Sequence, residues 1–406
     1  MEEWKEYKLG EVCKSIADGD HMPPPKVNSG IPFVTISNIV DCRLDFSNTY
    51  YVPQEYYDSI DVKRKPQQGD TIYSVVGTFG KPVYIKDNKP FVFQRHIAIL
   101  RPDESKIDPQ FLFYTLLSPQ FYRKADVMAI GAVQRTISLT SLRNATIKVP
   151  PIYIQKGVVN ILKSLDDKIE VNRRINDNLE QQAQALFKSW FVDFEPFKDG
   201  EFVESELGMI PKGWKVESLS TIADYVNGLA MQKYRPLEGE KGLPVLKIKE
   251  LGQGNTDDSS ELCSPSLIGE KYIIDDGDII FSWSGTLMVK VWCGGKCGLN
   301  QHLFVVEPKD YPHWFAYQWT KHHLDNFIHI AKDKAVTMGH IKRGELDKAK
   351  VVVPGGTSMA TFDSMMKPLH CQIISNKIES RRLAQLRDTL LPRLMSGEIK
   401  VGDVTL

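Results

Sequence analysis

LDDKIEVNRRINDNLEQQ, residues 165–182, has the spacing of a long amphipathic helix. Its seam positions recur at alternating intervals of four and three residues: Leu165, Ile169, Asn172, Asn176, Leu179 and Ala183. This heptad pattern predicts that the helix packs against a second helix. Two asparagines occupy the middle of the seam. A polar seam residue lowers stability but fixes register; alternatively the true seam drifts and both asparagines face solvent, and the sequence leaves both interpretations open.

The same motif returns near the end of the chain, where NKIESRR (376–382) echoes DKIEVNRR (167–174). This echo belongs to an internal repeat with a period of about 205–210 residues. The matched segments keep one order: WKEYKLGEV with WKVESLSTI, GIPFVTISNI with GLPVLKIKEL, QGDTIYSVVGTFG with DGDIIFSWSGTLM, QRHIAILRP with NQHLFVVEP, FLFYTLL with WFAYQWT, and AVQRTISLTSLRNATIKVPP with AVTMGHIKRGELDKAKVVVP. Because several weak matches recur in the same order, the repeat predicts two similar domains.

The pattern of apolar runs and turn residues in each copy predicts an α+β fold. Short β-branched and aromatic runs such as IPFVTI, DTIYSVV, HIAILRP and ATIKVP are bounded by Gly, Pro, Asp and Asn, which is typical of strands. We expect each copy to be a mixed α/β domain of about 150 residues around a curved sheet. A helix over residues 109–125 follows the third strand, and residues 313–330 form its counterpart.

A long helix follows each copy, so the predicted order is domain, helix, domain, helix. The predicted boundaries are 1–151 for the first domain, 152–195 for the central helix, 205–355 for the second domain and 362–400 for the C-terminal helix. We expect the central helix to run from about Ile154 to Trp190. The second should begin near Met366 and break around Pro392 and Gly397. In a pseudo-twofold repeat, two such helices most simply pair as an antiparallel coiled coil within one molecule.

Bulk composition excludes some classes of protein. No apolar run is long enough to span a membrane and the charged N-terminus is unlike a signal peptide, which predicts a cytoplasmic protein. Six cysteines show no framework spacing and are expected to be free thiols, CGGKC (293–297) included. Lys plus Arg equals Asp plus Glu at 51 each. The overall charge therefore gives no sign of nucleic-acid binding.

Motifs for catalysis and cofactor binding are missing from the sequence. The stretch around GTFGKP fails as a phosphate-binding loop, because Val75 stands where the first glycine should be and Pro82 where Ser or Thr should be. The acidic and glycine-rich segment 247–255 resembles a loop for S-adenosylmethionine, but its counterpart in the first copy has no glycine. His96 and His302 match between the copies without a nucleophile or carboxylate at matching places. These observations predict a binding protein.

Two matched loops carry the strongest signs of binding. Residues 130–148 contain Arg135, Arg143 and Lys148 and no acid, and residues 331–350 are rich in lysine. Both loops mix cations with Gln, Thr, Ser and Gly. Cations suit phosphates, while Gln, Asn and Arg can pair with base edges. A solvated charged loop is the alternative for either segment.

The repeat, its motifs and its ending resemble the specificity subunit of type I restriction–modification systems. The resemblance rests on GWKVESLSTIADYVNG after GMIPKG, on GDIIFSWSGT, NQHLFVVEP and TMGHIKRGEL in that order, on the region from DKIEVNRR to FEPF, and on LPRLMSGEI (391–399). It covers essentially the whole chain. The resemblance implies that each domain is a target-recognition domain for one half of a split double-stranded DNA site, with the helices setting the spacer.

The resemblance also implies partners and site residues. Two modification (methyltransferase) subunits would bring S-adenosylmethionine, and restriction subunits would bring ATP and Mg, so this chain itself would carry no cofactor and no catalytic residue. A non-catalytic coiled-coil adaptor for protein partners is the alternative. The residues expected to face DNA are Thr78, Lys81, Gln94, Arg95, Gln134, Arg135 and Thr136 in the first copy, and Ser284, Thr286, Asn300, Gln301, Thr337, Met338, His340 and Lys342 in the second.

Overall fold

The computed structural model describes residues 4–21, 23–40, 42–132, 134–333, 341–355 and 358–404. The chain divides into two compact units, residues 1–167 with 384–406, and residues 168–383. Each unit therefore contains one globular domain together with segments of two long helices. Within the described ranges, no helix is both long and apolar enough to cross a membrane.

The first domain combines several small sheets with short helices. Its four-stranded antiparallel sheet has the order Cys13–Asp18, Ile97–Pro102, Thr71–Ser74, Pro82–Tyr84. A three-stranded sheet has the order Tyr50–Val52, Ile31–Val34, Val92–Phe93. Two further strand pairs join Lys5–Lys8 to Thr146–Val149 and Ile39–Val40 to Arg43–Leu44. The α-helices are Leu9–Val12, Gln54–Ser59, Pro109–Leu117, Pro119–Met128 and Leu139–Asn144.

The second domain repeats the strand order of the four-stranded sheet, and its second sheet has one strand more than that of the first domain. Its first sheet runs Ala223–Asn227, Leu303–Pro308, Ile279–Ser282, Met288–Val291, and its second runs Leu262–Cys263, Leu243–Leu246, Cys297–Leu299, Ile273–Ile274. Lys215–Ser218 pairs with Lys350–Val353, and Phe202–Ser205 pairs with Gly208–Pro211. The α-helices are Leu219–Ile222, Ile248–Gln253, His313–His322, Leu324–Asp333 and Gly344–Lys348. The α+β class and the two homologous domains are confirmed, but each domain has several small sheets where one curved sheet was expected.

The helix expected over residues 109–125 is in fact two helices. The first ends at Leu117 and the second begins at Pro119. Pro119 has no backbone N–H to continue the helix, and the Ser118 side chain instead accepts from the backbone N–H of Phe121 at 3.2 Å as an N-cap. The counterpart in the second domain likewise breaks, between His322 and Leu324.

The two long helices are Ile152–Phe191 and Ser358–Ser396, called here the central and C-terminal helices. The C-terminal helix begins before Met366 and does not break at Pro392. Each internal proline removes one backbone donor, but Leu391, Leu394 and Met395 around Pro392 are buried, which favours continuing the helix. The helix ends at Gly397, whose φ of 74° is the left-handed conformation typical of a helix C-terminus.

In the second unit the two helices pair antiparallel through a polar layer. Asn172, Asn176 and Asn376 are only 1%, 6% and 5% exposed, so the interpretation that the seam asparagines face solvent is wrong. The Asn376 amide donates to Oδ1 of Asn176 at 2.9 Å, and the Asn176 amide donates to the Ile373 carbonyl at 3.2 Å. The Asn172 amide donates to Glu379 Oε2 at 2.7 Å. Amide side chains therefore fix which residues of the two helices meet.

In each unit, hydrogen bonds and ion pairs hold the helix segments against the domain of that unit. In the first unit, Asp166 accepts hydrogen bonds from the Tyr114 hydroxyl at 2.7 Å and from Arg387 at 2.8 Å. In the second unit, Arg381 makes a two-pronged ion pair with Asp276 at 2.6 and 2.7 Å. Such bidentate pairs hold orientation as well as position.

An aromatic cluster joins the end of the central helix to the second domain. Phe191 is 1% exposed, and its ring centroid lies 5.0 Å from that of Phe362, 5.5 Å from Phe315 and 5.7 Å from Trp214. Packed rings of this kind dominate core energetics and favour edge-to-face contacts. The segment FKSWF (187–191) thus belongs to the hydrophobic core of the second domain.

All six cysteines are free thiols. Burial raises the pKa of Cys293 to about 11 and that of Cys297 to about 12. The CGGKC pair is therefore held as neutral, buried thiols.

Candidate nucleic-acid interface

Three loops of the first domain meet at one end of the central strands of its four-stranded sheet: the glycine loop (75–81), the turn 94–96 and a loop described over residues 130–132 and 134–137. Their backbones are tied directly together. The Val75 N–H donates to the His96 carbonyl at 2.9 Å, Ile137 N–H donates to the Val75 carbonyl at 2.8 Å, and Gly77 N–H donates to the Arg135 carbonyl at 2.9 Å. These segments are called here the three-loop surface. The hydrogen bonds fix them as one structure, although residues 75 and 137 lie 62 positions apart in the sequence.

The seven DNA-facing residues expected in the first copy all lie on this surface. Thr78, Arg95, Gln134 and Thr136 are exposed, while the side chains of Lys81, Gln94 and Arg135 are partly buried. Gly77 beside Thr78 has a φ of 71°. Glycine suits this left-handed position because it has no Cβ, and it lets the tip of the loop project its threonine.

Gln94 is oriented by its neighbour His96. The Gln94 amide nitrogen and His96 Nδ1 are 2.9 Å apart. Burial, followed by the charge of Arg95, lowers the pKa of His96 and so favours the neutral ring. A neutral imidazole can accept the amide hydrogen through Nδ1, which fixes the Gln94 side chain. Polar atoms held in this way can recognise a complementary donor and acceptor pattern.

The second domain brings together the matching segments 283–286, 300–302 and 341–342, called here its own three-loop surface, through equivalents of two of these three backbone contacts. The Trp283 N–H donates to the His302 carbonyl at 3.4 Å, and Ile341 N–H donates to the Trp283 carbonyl at 3.2 Å. Gly285 also has a positive φ, 64°, so the glycine-threonine tip recurs. Thr286 and Lys342 are exposed there, and Gln301 is partly buried.

Two residues expected to face DNA in the second copy, Ser284 and Asn300, are buried and contact His302. Ser284 is 6% exposed and its hydroxyl lies 3.0 Å from His302 Nδ1. Asn300 is 7% exposed and its side-chain oxygen accepts from the His302 N–H at 3.2 Å. Their side chains therefore support the loops. Thr337, Met338 and His340 lie outside the described residues.

A fourth segment, which sequence analysis did not assign to the site, completes each surface. Asp20 bridges to Gln94 in the first domain and Leu229 bridges to Asn300 in the second, both parallel. A Cβ on the preceding glycines, Gly19 and Gly228, would lie 2.1 and 2.3 Å from backbone carbonyl oxygens of the 93–94 and 299–300 segments. The matched glycines in SIADG and DYVNG were the sequence signal for this close approach.

The arrangement presents hydroxyl, amide and guanidinium groups on loops whose backbones are mutually fixed. Such groups recognise base edges and phosphates. Preorganised loops lose less conformational entropy when a ligand binds. The geometry therefore suits a polar, anionic ligand.

Comparison with known proteins agrees with this interpretation. The model of the type I restriction modification DNA specificity domain matches residues 1–181 and 211–356. The HindI specificity subunit of Haemophilus influenzae is 23% identical, with 98% of this chain and all of that protein covered. The MjaIX specificity subunit of Methanocaldococcus jannaschii is 28% identical, with 73% of this chain and 70% of that protein covered.

A solved structure shares the fold. The S subunit of a type I restriction-modification system from M. genitalium superposes with a TM-score of 0.52 at 15% identity, covering 97% of this chain and 96% of that one. Two matches to the family's specificity domain, one in each half of the chain, span well over half of its length. The chain therefore belongs to the family of type I restriction–modification DNA specificity subunits.

Proposed function

We propose that each domain reads one half of a split double-stranded DNA target through its own three-loop surface. The observation that carries this proposal is the recurrence of one backbone arrangement with different side chains. Arg95 of the first domain, for example, corresponds to Gln301 of the second. A common scaffold with different polar groups is what two different half-sites require, because base edges are read by side-chain donors and acceptors.

The helices would hold the two half-sites at a fixed spacing. The buried amides of Asn172, Asn176 and Asn376 support this role, because a one-step slip of the helix pair would leave buried donors without partners. The same helices would dock two modification subunits, which carry S-adenosylmethionine, and the assembly would recruit restriction subunits that use ATP and Mg. This chain contributes recognition and no catalytic group, and the assembly would act in the cytoplasm.

The balanced charge of the chain predicts how it binds DNA. With 51 cationic and 51 acidic side chains, the lone chain should bind weakly and with a steep salt dependence. Affinity should rise when the modification subunits are present, because they would help to enclose the duplex. An anisotropy titration with and without these subunits measures the difference.

Mapping of methylated bases in a host genome, with and without this gene, tests the proposal. The expected result is a motif in two specified parts with a constant unspecified spacer, lost when the gene is deleted. A continuous motif, or an unchanged methylation pattern, would contradict it. The alternative function, a protein adaptor, predicts that binding does not depend on DNA sequence.

A further inference from the structure

A column of three stacked groups supports one side of the first domain's three-loop surface. The rings of Phe79 and Tyr122 stack with centroids 5.9 Å apart and an angle of 11° between their planes. The guanidinium carbon of Arg135 lies 5.0 Å from the centre of the Phe79 ring. Gly80, at a φ of 88°, makes the column possible, because a Cβ there would lie 2.7 Å from the Tyr122 ring.

Asp126 fixes the rotation of the guanidinium on this column. Arg135 Nη1 donates to Asp126 Oδ1 at 2.6 Å, and Nη2 donates to the Asp126 carbonyl. Both contacts use the terminal nitrogens. Nε of Arg135 makes no hydrogen bond to the described residues. The Nε hydrogen and the Nη2 hydrogen on the same side of the guanidinium therefore form an edge with two free donors. The Arg135 side chain is 41% exposed, which leaves this edge accessible from outside.

We propose that Asp126 is a positioning residue that presets Arg135 to read one guanine in the half-site of the first domain. This inference rests on the proposed function. Arginine is the residue that most often makes a paired contact with O6 and N7 of guanine in the major groove. Its planar donor fork suits such contacts, which lysine cannot reproduce.

The two hydrogen bonds from Arg135 to Asp126, called here the clamp, matter because an unrestrained arginine side chain loses rotamer freedom when it binds a ligand. Fixing the side chain beforehand removes part of that loss. Asp126 is 48% exposed and carries a negative charge that opposes phosphates. Its removal is therefore expected to change discrimination between bases more than overall affinity. A merely structural ion pair would not produce this separation.

The experiment measures discrimination by the chain assembled with its modification subunits. Anisotropy titrations compare a duplex carrying the mapped target with duplexes in which each guanine of either half-site is replaced in turn. For Arg135→Ala, the affinity ratio at one guanine of the first half-site is expected to fall roughly tenfold or more. For Asp126→Asn the ratio at the same guanine should fall roughly two- to tenfold, and Asp126→Glu should restore part of it.

Glu201→Gln is the matched control, since it likewise removes one negative charge from an exposed ion pair, here with Lys212 in the second unit. It should leave every ratio unchanged. Unaltered discrimination at the other bases of the first half-site shows that the first domain of each variant is folded. If Arg135→Ala relaxes a guanine and Asp126→Asn does not, the positioning role is refuted. If neither variant relaxes any base while the wild type reads a split site, the reading role is refuted. If the wild type reads no split site, the proposed function itself fails.

Discussion

Replacing Asn176 by alanine should lower the free energy of unfolding of the second unit by about 1–3 kcal/mol. Asn176 and Asn376 are both buried, and the Asn376 amide donates to Asn176 Oδ1 at 2.9 Å. Alanine removes that acceptor and leaves a buried N–H group without its partner. It also removes the bond from the Asn176 amide to the Ile373 carbonyl. The desolvation of the orphaned amide, rather than the lost bond itself, sets the size of the effect.

Replacing both partners should behave differently. In the double variant Asn176→Leu/Asn376→Leu no side-chain donor of this pair is left orphaned, and apolar residues at seam positions favour helix packing. The double variant is expected to be at least as stable as the wild type, because exchanging a whole buried polar pair for apolar groups is often neutral or stabilising. The register, by contrast, loses two of the three buried amides that fix it, so the mapped target should show more than one spacer length.

Urea unfolding followed by tryptophan fluorescence measures these differences. Every tryptophan except Trp4 belongs to the second unit, so the signal reports mainly on that unit. Asn178→Ala is the matched control, since Asn178 is exposed on the same helix, and it should change stability by less than about 0.5 kcal/mol. An unfolding midpoint for Asn176→Ala equal to that of the wild type would refute the argument. So would a double leucine variant that is the least stable of the set.

Three further variants test other parts of the structure. Phe191→Ala should destabilise the second unit by about 3–5 kcal/mol in the same assay, because its ring fills the aromatic core, whereas Val192→Ala, at a 38% exposed position, should change little. Gly228→Ala should displace the 299–301 segment and weaken binding to the second half-site in an anisotropy titration, while Gly252→Ala, whose Cβ has its nearest neighbour at 3.9 Å, should not. Burial, followed by the charge of His313, lowers the pKa of His370 to about 3. At His370 the unfolded state therefore binds more protons below pH 6.5, so the contribution of this residue to the free energy of unfolding should fall by about 1.4 kcal/mol per pH unit from there towards pH 4. His370→Gln should reduce this slope in urea titrations at pH 7 and pH 5.

The two-domain α+β fold was predictable because the repeat and the alternation of short apolar runs are local signals. The strand cores lie where the β-branched runs predicted them, for example Ile97–Pro102 within HIAILRP. The break between Leu117 and Pro119 was also available from the sequence, since serine before proline is a typical helix start. The path of the C-terminal helix through Pro392 was not, because it depends on burial of the leucines beside it.

The site was only partly predictable. Matched motifs gathered Gln94, Arg135 and their neighbours correctly onto one surface, because equivalent loops occupy equivalent places in a repeat. Ser284 and Asn300 are buried and contact the ring and the backbone N–H of His302 respectively, which spacing does not reveal. The clamp of Asp126 on Arg135 joins a helix to a loop, and no periodic pattern predicts such a contact.

The central claim is that each domain reads its own half-site independently. The most direct measurement maps methylated motifs for two reciprocal triple variants, Thr78→Ala/Arg95→Ala/Gln134→Ala in the first domain and Thr286→Ala/Gln301→Ala/Lys342→Ala in the second. Each variant should degrade one half of the motif and leave the other half and the spacer intact, because its substitutions lie on one three-loop surface. A variant that alters both halves of the motif, or that changes neither, would contradict the account.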